Sequence, residues 1–282
     1  MPYEIFSEQY VEVHDLQFFS FDATFDCGQS FRFEKKGDFY IGVAGGRVFK
    51  GVQLSESSIR IYNPSDYPFW KSFLALDEDY LAIRESMPLD DTMKNASLVG
   101  SGIRILRQDK WEALCSFIIS QNNNIPRIKK LVEALSQRYG DEILFDGEIY
   151  HSFPSAKKLA LVPTEELFDL KLGFRAPYIK DAAVSVANGT LDLDYISSLP
   201  ADSAAEALKQ IKGVGPKVAA CTLLYGFYKT DMFPIDVWVK RILDKYYSAL
   251  PYDKAPEYFG KYAGIAQQYL FYYERYSVAG KG

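Results

Sequence analysis

Lys217 in GVGPK and Asp236 in FPIDVWVKRIL, nineteen residues apart, are the side chains whose types and spacing suggest chemistry. An amine attacks carbon only in its neutral form. A lysine in the first turn of a helix sits at the positive end of the helix dipole, which disfavours the ammonium form, and partial burial acts in the same direction. Such an amine suits nucleophilic catalysis, with Asp236 orienting it and stabilising positive charge that develops on a substrate. Each residue also has a plainer reading alone. Most lysines are solvated, and a carboxylate just before an apolar-periodic run is a good helix N-cap.

The segment AAEALKQIKGVGPKVAACTLLYGF, about 203–228, reads as helix, tight turn, helix. Gly213 and Gly215 flank Val214, and glycine suits backbone that turns sharply or approaches a ligand closely. The second helix opens at Pro216 or Lys217, and its first amides lack partners, which makes a seat for a phosphate. This is the pattern of a helix-hairpin-helix, a sequence-independent grip on the DNA backbone. A helical corner without a ligand is the alternative.

Other elements must hold this hairpin. Residues 17–62 read as β structure in the runs QFFSFD, SFRFE, DFYIGVAG, RVFKGVQL and SIRIYN, separated by KKGD, AGG and SESS turns. From about Phe69 the apolar spacing becomes helical, through FWKSFLALDEDYLAIRES, KWEALCSFIISQ and IPRIKKLVEALSQRYG. Further helices are expected near 156–170, 176–188, 203–212, 217–228, 236–247 and 255–275. The layout is α+β: an antiparallel β-rich domain with a helix over 1–98, then a mostly helical body of two subdomains over 99–282.

Composition narrows the classes. The 282 residues are enough for a sizeable core, and 48% hydrophobic with 24% charged residues describes a soluble globular chain. Most of the 21 Tyr and 20 Phe are expected in the core, with a minority left to stack on a ligand. No run has the length of a membrane span, and MPYEIFSEQY lacks a signal-peptide pattern. Cys27, Cys115 and Cys221 are scattered, and with His14 and His151 they make neither a disulfide framework nor a metal cluster. A reducing compartment and no cofactor or metal are expected. The net charge of −5 argues against nucleic acid, but its distribution softens that: residues 204–245 hold 7 basic to 4 acidic side chains.

At the hairpin the sequence resembles the 8-oxoguanine DNA glycosylases of the helix-hairpin-helix superfamily. GVGPKVAAC followed by PIDV looks like that family's signature. DCGQSFRF (26–33) resembles its SGQSFRW element, SQNNNIPRI (120–128) its SNNNIARI, LGFRAPY (172–178) its LGYRARY and YAGIAQQYLF (262–271) its YAGWAQAVLF. These elements occur in the same order over nearly the whole chain. The resemblance implies an N-terminal sheet like that of the TATA-binding protein, then two helical domains with the hairpin near their junction. It implies a monomer acting on double-stranded DNA that contains oxidised guanine, inside the cell: cytoplasmic beside the nucleoid in a bacterium, nuclear in a eukaryote.

It also implies roles. Lys217 attacks the anomeric carbon of the damaged nucleotide, giving a Schiff base and strand cleavage by β-elimination, while Asp236 assists by electrostatics and proton transfer. Cys221 and Phe271 sandwich the flipped base, Gln267 meets its Watson–Crick edge, and Gly28 offers its carbonyl to the ring NH that 8-oxoguanine has and guanine lacks. Asn122 fills the vacated stack, Arg127 and Arg175 read the estranged cytosine, and Gly213, Val214 and Gly215 meet a phosphate. Two positions depart from the family pattern. Trp238 stands where many eukaryotic members have histidine, and Phe174 replaces the wedge tyrosine, keeping the ring without its hydroxyl. Both bear on phosphate contact and opposite-base preference.

Two other functions fit parts of the pattern. A non-catalytic DNA-binding module would use the hairpin but require neither Lys217 nor Asp236. A 3-methyladenine-type glycosylase would keep Asp236 without needing the lysine, so Lys217 and CGQSFRF argue against it. No cysteine follows Cys221, which separates the chain from relatives with a C-terminal iron–sulfur cluster.

Overall fold

The computed structural model describes residues 2–88 and 90–275. The chain forms two compact units that interleave along the sequence: Met1–Gln29, Gly51–Arg107 and Tyr228–Gly282 make the first, and Ser30–Lys50 with Gln108–Phe227 the second.

The N-terminal strands are β1 Tyr3–Phe6, β2 Tyr10–His14, β3 Phe33–Lys36, β4 Phe39–Ala44, β5 Arg47–Ser55 and β6 Ser58–Tyr62. Their sheet order is β1-β2-β6-β5-β4-β3, and β5 is divided at Lys50 between the units. In the first unit, β2 and β6 alternate buried and half-buried residues. Their antiparallel register sets Val11 opposite Ile61 and Val13 opposite Ile59. All four are buried, so one face of the ladder is a continuous β-branched seam.

The helix Ala263–Tyr273 lies at the centre of the first unit, with every residue from Ala263 to Leu270 buried. It packs against the helices Asp91–Val99 and Val237–Tyr246. A helix with no polar face must be covered on all sides, and these neighbours cover it. In the second unit, the helix Lys110–Ile119 packs on Pro216–Gly226. A Cβ at Gly226 would meet the Ala113 Cβ at 2.7 Å, so glycine permits this close approach. Among the described residues, no helix is long and apolar enough to cross a membrane.

The antiparallel sheet followed by a helical body agrees with the α+β expectation, with corrections in detail. QFFSFD is not a strand. Phe18 has φ +53, and Ser20 caps a helix Phe21–Asp26, its Oγ accepting from the Ala23 amide at 3.3 Å. The aromatic run is core instead: Phe21 stands edge-on to Phe19 and stacks on Phe25. SFRFE becomes strand only at Phe33. The structure adds strands β1 and β2, which the sequence reading passed over. It also adds a hairpin of β7 Glu142–Phe145 and β8 Glu148–His151, turning on Asp146 (φ +51) and Gly147 (φ +79).

Glu112, in the first turn of Lys110–Ile119, carries a testable consequence of burial. Burial pushes its carboxyl up to about 7, although Arg32 pulls the other way. An unfolded glutamate titrates near 4.3, so the folded state favours the protonated form. That contribution is complete below about pH 4 and is lost as pH rises through about 7. Glu112→Gln is therefore expected to raise the melting temperature at about pH 8 and change it little at about pH 4. Equal shifts at both pH values would contradict the burial argument.

Candidate active site

Lys217 is the second residue of the helix Pro216–Gly226, and the way that helix begins sets its surroundings. Gly215 is the N-cap, extended at φ −92, and provides no side chain to cap with. Pro216 has no N–H. The first bond into the turn is the Ala219 amide to the Gly215 carbonyl at 3.0 Å, so the amides of Lys217 and Val218 have no partner among the described residues.

The preceding helix, Ala201–Leu208, ends before a turn at Gly213, where φ is +83. A Cβ there would stand 2.2 Å from the Tyr178 ring. Val214 is buried, and its amide bonds to Ile211 O at 3.0 Å. Asp181 accepts from the Lys212 amide at 3.0 Å, tying the turn to the helix Ala176–Ala187. The hairpin expected near 203–228 is thus present and braced. Its brace residues, Tyr178 and Asp181, are invisible to local pattern.

Lys217 is half-buried, and its Nζ lies 5.8 Å from the centre of the Phe117 ring. Phe117 stacks on Tyr225 at 5.2 Å and meets the edge of Phe31 at 6.0 Å. The lysine stem therefore lies over a packed aromatic floor. Cys221 is one helical turn further along, on the same side, and is buried.

The residues expected to meet the opposite base gather in the second unit. Asn122 is exposed and left-handed, φ +47, just past the helix Lys110–Ile119. Asn123 and Asn124 serve the backbone: Asn123 Nδ2 donates to Ile119 O at 3.2 Å, and Asn124 Oδ1 caps Ile125–Tyr139 by accepting from the Arg127 amide at 3.0 Å. The Arg127 side chain is exposed. Arg175 is buried beneath this loop. Its Nε donates to Gln121 O at 2.9 Å, and its Nη2 donates to Gln121 O and to Asn122 O. Its guanidinium also lies 4.3 Å from the centre of the Phe174 ring, which is 46% exposed. Burial and then Arg127 both disfavour charge on Arg175, and neither arginine has a carboxylate partner among the described residues.

The remaining candidates lie in the first unit. Asp236 caps Val237–Tyr246, its Oδ1 accepting from the amides of Trp238 and Val239, both at 2.9 Å. The plain N-cap reading is thus correct, and one carboxylate oxygen remains for other work. Trp238 is 56% exposed, with the Arg241 guanidinium 5.2 Å from its ring centre. Gln267 and Phe271, four apart on Ala263–Tyr273, share one side of that helix. Gln267 is buried, and its Oε1 has no hydrogen-bond partner among the described residues. Gly28 follows the Phe21–Asp26 helix with φ +90. Burial pushes the thiol of neighbouring Cys27 up to about 12, and its Sγ donates to Thr24 O at 3.2 Å.

Residues 13–114 match the family described as 8-oxoguanine DNA glycosylase, N-terminal domain, and residues 115–262 match the HhH-GPD superfamily base excision DNA repair proteins. A probable N-glycosylase/DNA lyase of Methanothermobacter thermautotrophicus is 32% identical over 226 residues, 71% of each chain. The solved structure of MBOgg1 with a low-affinity DNA ligand is 40% identical, with a TM-score of 0.93 and 99% of each chain covered. The Clostridium acetobutylicum 8-oxoguanine glycosylase/lyase, with double-stranded DNA containing cytosine opposite 8-oxoG, is 38% identical. It covers 99% of this chain and 98% of its own, with a TM-score of 0.92.

The two hairpin glycines are expected to answer differently to a methyl group. Gly213→Ala meets both a left-handed φ and the Tyr178 ring, whereas Gly215 has open space around it. At about 2 kcal/mol or more for the strained position, Gly213→Ala should lower the melting temperature by at least about 4 °C. Gly215→Ala meets no steric bar and should lower it by only about 1–3 °C, for the poorer N-cap that alanine makes. Equal losses in thermal unfolding would show that the turn is not held by the Tyr178 contact.

Proposed function

This chain belongs to the 8-oxoguanine DNA glycosylases of the HhH-GPD superfamily, and from that membership we propose how its residues divide the work. It is a bifunctional DNA glycosylase and lyase of base excision repair that acts on 8-oxoguanine in duplex DNA. What carries the residue assignment is the start of the Pro216–Gly226 helix, where unpartnered amides and a half-buried lysine occupy the same turn.

Lys217 Nζ attacks C1′ of the damaged nucleotide. The N-glycosidic bond breaks, and its electron pair leaves with the base. Loss of the amine proton and opening of the sugar give a Schiff base, and removal of a C2′ proton then expels the 3′ phosphate by β-elimination. Asp236 supplies negative charge while the sugar carries a partial positive one, and its free oxygen is available to accept a proton. The hairpin backbone at Gly213, Val214 and Gly215 meets the phosphate, and because the Val214 amide is already bonded to Ile211 O, the donors come from the amides of Lys217 and Val218 at the start of the next helix. Backbone dipoles need no surplus of lysine and arginine, which accounts for a DNA enzyme with net charge −5.

The damaged base is out of reach inside the stack and must be flipped. We assign Cys221 and Phe271 to contacts with the base, Gln267, through its Oε1, to the Watson–Crick edge, and the Gly28 carbonyl to N7–H. Phe174 and Asn122 would occupy the vacated space, and the arginine pair without counter-ions would meet the opposite base. These steps need no cofactor. Three buried cysteines without disulfides suit a reducing intracellular compartment, and the enzyme acts as a monomer.

Borohydride trapping on an 8-oxoguanine duplex is expected to give a covalent adduct with the intact protein and none with Lys217→Gln. Absence of an adduct with the intact protein would rule out the Schiff base. Asp236→Asn separates the two jobs of that side chain, because asparagine caps a helix about as well as aspartate. Its melting temperature should match the parent while base excision slows by at least about a hundredfold. A parallel loss of stability and rate would reduce Asp236 to its capping role.

A further inference from the structure

The carbonyl of Gly28 discriminates only if it cannot turn away. Guanine presents a lone pair at N7 and 8-oxoguanine an N–H, so one carbonyl repels the first and accepts from the second. Glycine at φ +90 is the residue least able to fix the peptide on either side of it. Something outside the turn must hold it.

Two buried glutamines do so. Gln268 is 2% exposed, and its Nε2 donates to the Cys27 carbonyl at 2.9 Å. That bond fixes the peptide entering Gly28. Gln29 is fully buried on the other side of the glycine. Its Nε2 donates to Thr24 O at 2.9 Å and Arg104 O at 2.8 Å, and its Oε1 accepts from the Leu106 amide at 2.9 Å. The residue leaving Gly28 is thereby anchored as well. A primary amide is costly to bury and adds nothing to packing that an apolar chain would not, so its hydrogen bonds, such as that of Gln268 to Cys27 O, account for its presence.

We propose that Gln268, supported by Gln29, is a positioning residue that holds the Gly28 carbonyl in its base-reading direction and so sets how sharply the enzyme separates oxidised from unmodified guanine. The proposal rests on the reading of Gly28 given above. Gln268 follows Gln267 directly on Ala263–Tyr273, about 100° around the helix, so adjacent amides serve different ends. The Oε1 of Gln267 has no partner among the described residues, and the Nε2 of Gln268 ties the same helix to the glycine turn. The Watson–Crick reader and the N7 reader then keep a fixed relation. The family element YAGWAQAVLF has alanine at this position, so the tie belongs to this chain rather than to the signature.

The test is a ratio of affinities in the Lys217→Gln background, where nothing is cleaved. One duplex carries 8-oxoguanine opposite cytosine, and the other carries 7-deaza-8-oxoguanine, which lacks the N7–H. The parent is expected to prefer the first. Gln268→Met keeps the volume and removes the donor, and should reduce that preference by about fivefold to tenfold, the range expected for one lost hydrogen bond. A merely structural role would weaken both duplexes alike and leave the ratio unchanged, which would overturn the proposal while the Gly28 reading stands. A parent ratio of one would overturn the Gly28 reading itself. Should Gln268→Met not fold, Gln268→Ala provides the same comparison.

Discussion

An α-helix cannot satisfy its own first amides, and the way each helix here meets that constraint decides where the site residues stand. Asp90, Asp109, Asn124 and Asp236 cap their helices with a side-chain oxygen. Pro216–Gly226 has only Gly215 at that position and leaves its donors unspent. The preceding turn is closed from within by the Val214 amide on Ile211 O and braced from outside by the Tyr178 ring and Asp181. The same constraint explains Asp236, whose Oδ1 takes the amides of Trp238 and Val239, and Arg127, whose own amide is held by the Asn124 cap.

How much of this is readable in the sequence depends on range. The hairpin is legible because glycine, proline and apolar period all act within a few residues. Strands β4, β5 and β6 are legible for the same reason. QFFSFD misleads because aromatic residues suit a strand and a buried helix equally, and one serine decides between them. The β7–β8 hairpin had its signal in Asp146-Gly147, the dipeptide that two-residue turns favour, between runs that alternate. The second unit's arginines could be named from their surroundings in sequence, but not the carbonyls that Arg175 holds, 53 and 54 positions away. The bond from Gln268 to Cys27 spans 241 positions, and no local pattern encodes it.

The aromatic surplus divides by exposure. Phe21 with Phe19 and Phe25, Trp70 with Phe69 and Phe73, and Phe259 with Phe233 and Tyr247 fill interior space in stacked or edge-on pairs. Phe174 and Trp238 are different. Both are broadly open to solvent, both have a guanidinium against the ring, and both are the positions where this chain departs from the family pattern. At both positions the ring is thus partly covered by a neighbouring guanidinium and otherwise open, where the family pattern has a hydroxyl or an imidazole.

The thiol beside the glycine turn has a consequence for the conditions in which such an enzyme works. Peroxides attack the thiolate, and with its titration pushed up to about 12, Cys27 is almost wholly protonated at neutral pH. The oxidants that generate the lesion therefore find little to react with at the residue next to Gly28. Bound to Thr24 O and screened from solvent, this thiol is in the form that oxidants attack least readily.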